Sequence, residues 1–361
     1  MDRTPAHITA DLRLFPSTLS LWSTMAFLAL LLSLPLYGSS YQLDVVNRIG
    51  IAVIGAVGLN ILTGSTGLIS LGQAAFMAIG AYSATWLATR LGISYLFCIP
   101  LSGAITAVLG LVVALPSLRL RGLYLAMATL AAHFITEFLI VHCESVTGGV
   151  SGQSVPVPSV AGLAIDTDKR VFYLIIPIAI AMVLFAANLF RTRTGRALIA
   201  VRDQEMSAAV IGINVFRYKL TAFGISSFYA GVAGALMACQ AKIITPENFP
   251  ITIAIDSLAM IIIGGMGSII GSIFGATFLT LLPELLRSAT TALSGDFPAL
   301  VGKLAPLKEM VFGLLVIVFL IFEPHGLAAI WKRTKQRFSL VTCAAPLPDD
   351  RSGSQPPGGT L

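Results

Sequence analysis

The stretch 191-RTRTGRALIAVRDQEMSAAVIGINVFRYK-219 decides how this chain is read. It carries six basic residues, Arg191, Arg193, Arg196, Arg202, Arg217 and Lys219, around Asp203 and Glu205. Apolar runs of membrane length flank it, Val171–Phe190 before and Leu220–Cys239 after. A basic segment between two such runs belongs on the cytoplasmic side of a membrane. Its centre, Ala197–Ile211, holds no Gly or Pro and several good helix formers, which predicts a short helix lying across the inner face.

Working outward, the rest of the chain reads as membrane. Apolar residues make up 56% and charged residues 11% of the sequence. A soluble chain carries about 25% charged residues, so the solvent here is lipid. The formal net charge of +6 would suit nucleic acid, but the basic residues cluster at the ends of apolar runs. The positive-inside bias accounts for them, and no nucleic-acid partner is expected. Cys98, Cys143, Cys239 and Cys343 lie far apart, without the spacing of a disulfide framework or a zinc site, so no metal or cofactor is expected. The first apolar run, Leu19–Leu36, is too long for a signal-peptide core and is read as a retained span.

The fold class expected is all-α, a polytopic membrane protein of about ten transmembrane helices, some short or broken. Residues 1–18 form a cytoplasmic N-terminal segment, 19–330 the transmembrane domain, and 331–361 a basic, then disordered, cytoplasmic tail. The spans expected after the first are Ile49–Leu62, Leu68–Thr89, Tyr95–Leu115, Leu123–Val141, Val171–Phe190, Leu220–Cys239, Ile251–Ile263, Ile269–Leu286 and Leu307–Phe322. Asp44 and Arg48 fall in a short connection before the first of these, and Ser288–Pro306 in a loop. Ile49–Leu62 would cover only about 21 Å of a core near 30 Å, as a short or re-entrant element does. With both termini inside, the cytoplasmic segments hold 15 of the 23 Lys and Arg residues.

Two Gly-rich breaks interrupt the apolar pattern. One is Thr63-Gly64-Ser65-Thr66-Gly67; the other is Gly264-Gly265-Met266-Gly267-Ser268. Interrupted helices at corresponding positions point to a pathway at mid-membrane, where freed backbone groups face protein or water. Close packing is the alternative, with Gly267, Gly271 and Gly275 in one small-residue row and Ala230, Gly234 and Ala238 in another. Asn60 and Gln73 flank the first break and either bond freed backbone groups or face a solute. His133 and Glu137, four apart on one helix face, are a second pathway candidate, with a satisfied structural pair as the alternative. Asp256 reads as a polar contact near a helix end. No G-x-x-x-x-G-K-[ST] motif occurs, nor H-E-x-x-H, nor G-x-S-x-G in a strand-turn-helix setting, so the chain is read as neither an ATPase nor another enzyme.

Three stretches together resemble the permease subunits of branched-chain amino acid ABC importers, the M-type rather than the H-type. They are Gly58-Leu59-Asn60-Ile61-Leu62-Thr63-Gly64 through Gly80-Ala81-Tyr82; Gly195-Arg196-Ala197 through Ala233-Gly234-Ala235; and Gly264-Gly265-Met266-Gly267-Ser268. The resemblance implies a multi-pass protein of the bacterial inner membrane. It also implies a sister permease, two ATP-binding subunits and a periplasmic binding protein as partners. It implies that Arg196, Arg202, Asp203, Glu205, Ala208, Ala209 and Gly212 form the ATPase-coupling loop. In that loop Arg196, Arg202 and Glu205 would pair across the contact, and Leu198, Val201 and Ala209 would fill a groove. The path candidates are Asn60, Gly64, Gly67, Gln73, His133, Glu137, Gly264, Gly265 and Gly267. Branched-chain amino acids are the expected substrate. Urea, amides or aromatic acids, or an ion-gradient-driven secondary transporter, are the alternatives.

Overall fold

The computed structural model describes residues 30–294 apart from a few loop positions, and scattered residues between 310 and 327. The expected spans Leu19–Leu36 and Leu307–Phe322 fall largely outside the described residues, as does the tail. Among those described, ten helices carry the architecture: α1 (Ser40–Leu59), α2 (Gln73–Leu91), α3 (Tyr95–Ser117), α4 (Leu123–His142), α5 (Asp168–Leu189), α6 (Arg193–Asp203), α7 (Glu205–Val210), α8 (Val215–Ala241), α9 (Ile251–Gly264) and α10 (Ile269–Ser294). Among the described residues, seven helical stretches are long and apolar enough to cross a membrane. Among the described residues the membrane part is all-α, with only two-residue strands in the connections.

The span expected at Ile49–Leu62 is longer than the sequence suggested. α1 opens at a capping box on Ser39 and continues through a π-helical turn, Asn60–Gly64, so that 25 residues form one stretch. Asp44 and Arg48 lie inside it, not in a connection. They form an i,i+4 ion pair at 2.9 Å, and Gln240 of α8 donates to the other Asp44 oxygen at 2.6 Å. Mutual pairing is what lets both charges enter a span. α2 in turn starts at Gln73, five residues later than expected. Residues 67–72 run unwound and are held by Thr129 Oγ1, which accepts from the Leu71 N–H at 2.9 Å. α10 continues to Ser294, past the expected end.

α1 and α8 form the centre, each with 78% of its most apolar window buried. α2, α3 and α5 pack around them. Close approach fixes several small residues: a Cβ on Gly80 of α2 would run into the backbone of Gly231 on α8. α9 and α10 pack as a pair in the same way, Gly271 and Gly275 lying against Gly264 and Met260. Gly267 leaves that small-residue row. It sits in the turn before α10 at φ +83°, a region open chiefly to glycine.

The connections sort to two ends. Gln153–Ser154 pairs antiparallel with Ile243–Ile244, which joins the loop after α4 to the loop after α8 at one end of the bundle. The basic segment carrying α6 and α7 lies at the other end, where both Gly-rich breaks also lie.

Candidate functional site

The two breaks, some two hundred residues apart in sequence, meet at Asn60. The π-helical turn presents Asn60 toward the α9–α10 connection. There its amide nitrogen donates to the Ser268 carbonyl at 3.1 Å, and its amide oxygen accepts from the Gly267 N–H at 2.8 Å. A single wider turn of this kind re-aims one side chain without ending the helix. Asn60 is 1% exposed, so an unmatched amide there would be costly, and both its ends are matched. Gly64 completes the contact: a Cβ on it would overlap the Asn60 amide and press on the Gly267 nitrogen.

The basic segment reaches the same point. α6 is capped by Thr192, whose hydroxyl accepts from the Gly195 N–H at 3.3 Å. Its apolar face, Ala197, Leu198 and Val201, is buried against the bundle. That seating places Arg202 beneath the breaks. One terminal nitrogen of Arg202 donates to the Gly64 carbonyl at 2.9 Å, while Nε and the other nitrogen donate to Asp203 at 3.1 and 3.0 Å. A Cβ on Gly267 would lie 2.7 Å from that first nitrogen. Arg202 thus touches one break by hydrogen bond and the other by packing. A hydrogen bond from a charged donor contributes about 1.5–3 kcal/mol.

The helix expected over Ala197–Ile211 is two helices. Gln204 is extended, at φ −162° and ψ 101°, and turns α7 away from α6. The Lys219 ammonium pairs with Glu205 and ties the start of α7 to α8. Gly212, at φ +88°, stops α7: its N–H donates to the Ala209 carbonyl and the next N–H, of Ile213, to Ala208. That is the glycine-ended helix stop. Ala208 is buried and Ala209 exposed.

Several expected contacts change. Leu198 and Val201 face the bundle and are not available to a groove. The residues that stand out are Met206, Val210 and Ile211, at 80, 86 and 73% exposure. Arg196 donates to the Arg191 carbonyl at 3.1 Å, and Arg202 and Glu205 are engaged within the chain.

The remaining path candidates divide. Gln73 is 1% exposed, and its amide nitrogen donates to the Gly55 carbonyl of α1 at 3.1 Å, tying the start of α2 to mid-span. Gly64 and Gly264 are buried, Gly265 is half-buried, and Gly67 and Gly267 are exposed. His133 and Glu137 lie apart from this junction. His133 is buried, 3.9 Å from a half-exposed Glu137, beside a crevice of only about 10 Å³. Sequence reasoning named Ser268 only as the end of a break and read Asp256 as a polar contact near a helix end; it did not bring Asp256 together with Asp44, Arg48 and Glu284 at the opposite end. Only the i,i+4 spacing of Asp44 and Arg48 hinted that they share a helix face.

Comparison with known proteins agrees with this architecture. Residues 41–320 match the family described as the permease component of branched-chain amino acid transport systems. The chain is 32% identical, over 84% of its length and 73% of the relative's, to the high-affinity branched-chain amino acid permease protein LivM of Salmonella typhimurium, and equally to that of Escherichia coli. It is 25% identical to a probable LivH permease of Methanocaldococcus jannaschii, over 80% of this chain and 91% of that one. The chain belongs to the LivM-like family of branched-chain amino acid transport permeases, and is a transport subunit and not an enzyme.

Proposed function

We propose that this multi-pass protein of the bacterial inner membrane is one of two permease subunits of an importer for leucine, isoleucine and valine. A sister permease, two ATP-binding subunits and a periplasmic binding protein complete the assembly. The family match and the two LivM relatives support the partner set and the substrate class. The observation that carries the mechanism is the reach of Arg202 from α6 to the junction of both breaks.

In this reading α7 is the docking element. Its exposed Met206 and Val210, with Ile211 just beyond, are the kind of apolar surface that a partner covers. An ATPase subunit seated on α7 pushes on it as the ATPase pair closes. α7 is tied to α8 through Glu205 and Lys219, and it follows α6 directly, so the push arrives at α6. α6 moves as a lever about its buried face. Arg202 then draws on the Gly64 carbonyl, and the clasp of Asn60 on Gly267 and Ser268 opens or closes with it. Two discrete arrangements of one contact are what alternating access requires.

The test is reconstitution. The assembled importer in proteoliposomes, supplied with its binding protein, is expected to accumulate L-leucine only with ATP on the side of α7. Accumulation by this chain alone under a proton or sodium gradient would overturn the reading in favour of a secondary transporter.

A further inference from the structure

At the end of the bundle opposite α7, a cavity of about 550 Å³ opens between α1, α8, α9 and α10. Its size falls within the range of about 300–1,000 Å³ typical of small-molecule sites. Its wall has two zones, and each helix contributes to both. On α1, Asp44 and Arg48 lie outward of Ile51, Ala52 and Gly55. On α9, Asp256 lies one turn outward of Met260, and on α10 Glu284 lies outward of Leu279. Met77 of α2 completes the inner, apolar zone. From Arg48 to Gly55 is about 10 Å along the helix. The polar zone therefore rings the mouth and the apolar zone forms the floor.

The charges are not all spent on one another. Arg48 donates to Asp44 through Nε, and its two terminal nitrogens have no hydrogen-bond partner among the described residues. Asp256 forms no hydrogen bond or ion pair among the described residues, while Glu284 accepts from the Tyr41 hydroxyl. A guanidinium fork with an open face receives a carboxylate, and an unpaired carboxylate receives an ammonium. A cavity with both at its mouth and methionines at its floor is complementary to a zwitterion that carries an aliphatic tail.

We infer that this cavity is a recognition site for α-amino acids in the permease itself, entered from the face opposite α7. The α-carboxylate meets Arg48, the α-ammonium meets Asp256 and Glu284, and the side chain points toward Met77 and Met260. The inference rests on the substrate reading proposed above and extends it, because it gives the permease a selectivity of its own beyond that of a delivery protein. The floor at Gly55 lies five residues outward of Asn60, about 7.5 Å along α1. The clasp thus closes the site from the other side.

The test uses the assembled importer with Thr280→Cys, which places a thiol in the cavity wall, in a background with Cys143→Ala and Cys343→Ala. L-Leucine is expected to protect that thiol from a methanethiosulfonate reagent. Leucinamide, 4-methylpentanoate and fructose at equal concentration are expected not to. Asp256→Asn and Arg48→Gln should each raise the leucine concentration needed for protection by about tenfold, the loss of one charge-assisted contact. Uptake of L-leucine by the parent complex is measured alongside. Parent uptake with no protection, with equal protection by fructose, or with protection unchanged in both variants overturns the cavity site. Failure of the parent complex to take up leucine at all overturns the substrate reading instead.

Discussion

Asn60 holds two chain segments together with one amide, one end donating and the other accepting. Asn60→Ala would leave the Gly267 N–H unmatched in a partly buried site, while the Ser268 carbonyl keeps the Ser272 N–H and hydroxyl. One buried donor left unmatched costs about 1–3 kcal/mol, read as a lowered melting temperature of the purified complex. Asn60→Asp keeps the acceptor toward Gly267 but buries a charge and sets an oxygen against the Ser268 carbonyl, and should lower the melting temperature at least as much as Ala. The glycines beside it should differ sharply. Gly64→Ala has no room, because its Cβ meets Asn60 and Gly267. Gly67→Ala meets nothing closer than 3.7 Å and carries only the strain of φ +71°, about 1–2 kcal/mol. Yield of folded protein for Gly64→Ala should therefore collapse while Gly67→Ala is recovered; equal recovery would mean that the junction is loosely packed. The sequence showed Asn60 as a polar residue beside a break. It did not show the partner, because nothing in local periodicity registers a contact across 207 residues.

At the scale of the element, α6 and α7 divide one basic segment into a seated part and a presented part. α6 buries Leu198 and Val201 and α7 exposes Met206 and Val210. Replacing Met206 and Val210 by Glu should leave membrane insertion and melting unchanged and abolish co-purification of the ATPase subunits. Retention of those subunits by the double variant would place the docking surface elsewhere. Gly212→Ala strains the stop of α7 by about 1–2 kcal/mol. It should weaken ATPase retention without changing the fold of the spans. The helicity of this segment was legible from its helix formers. The break at Gln204 was not, since Gln is itself a good helix former and the extended turn is set by the tie of Glu205 to Lys219. Nor did the apolar stripe of α6 say what it faces. A stripe marks a buried face, and the bundle and a partner groove bury it equally well.

Across the described residues, span order was legible because lipid demands long apolar runs. The start of α1 was misplaced because Asp44 and Arg48 cancel one another inside the span, which a reading of single residues penalises twice. The outer cavity was illegible because four helices and α2 build it, and each contributes only a few residues to its wall. In the proposed mechanism the closed clasp, the cavity beyond it and the lever beneath it form one outward-open arrangement. On that reading the Asn60 junction is the inner gate and Arg202 its control. If Arg202 carries the push of the ATPase to that gate, removing it should separate fuel use from transport. The most direct measurement is therefore the number of leucine molecules accumulated per ATP hydrolysed by proteoliposomes carrying Arg202→Ala in the assembled importer. Binding-protein-stimulated hydrolysis that persists while the ratio falls by about tenfold or more is the result expected, equivalent to about 1.4 kcal/mol of lost coupling. A ratio equal to that of the parent complex would contradict the account.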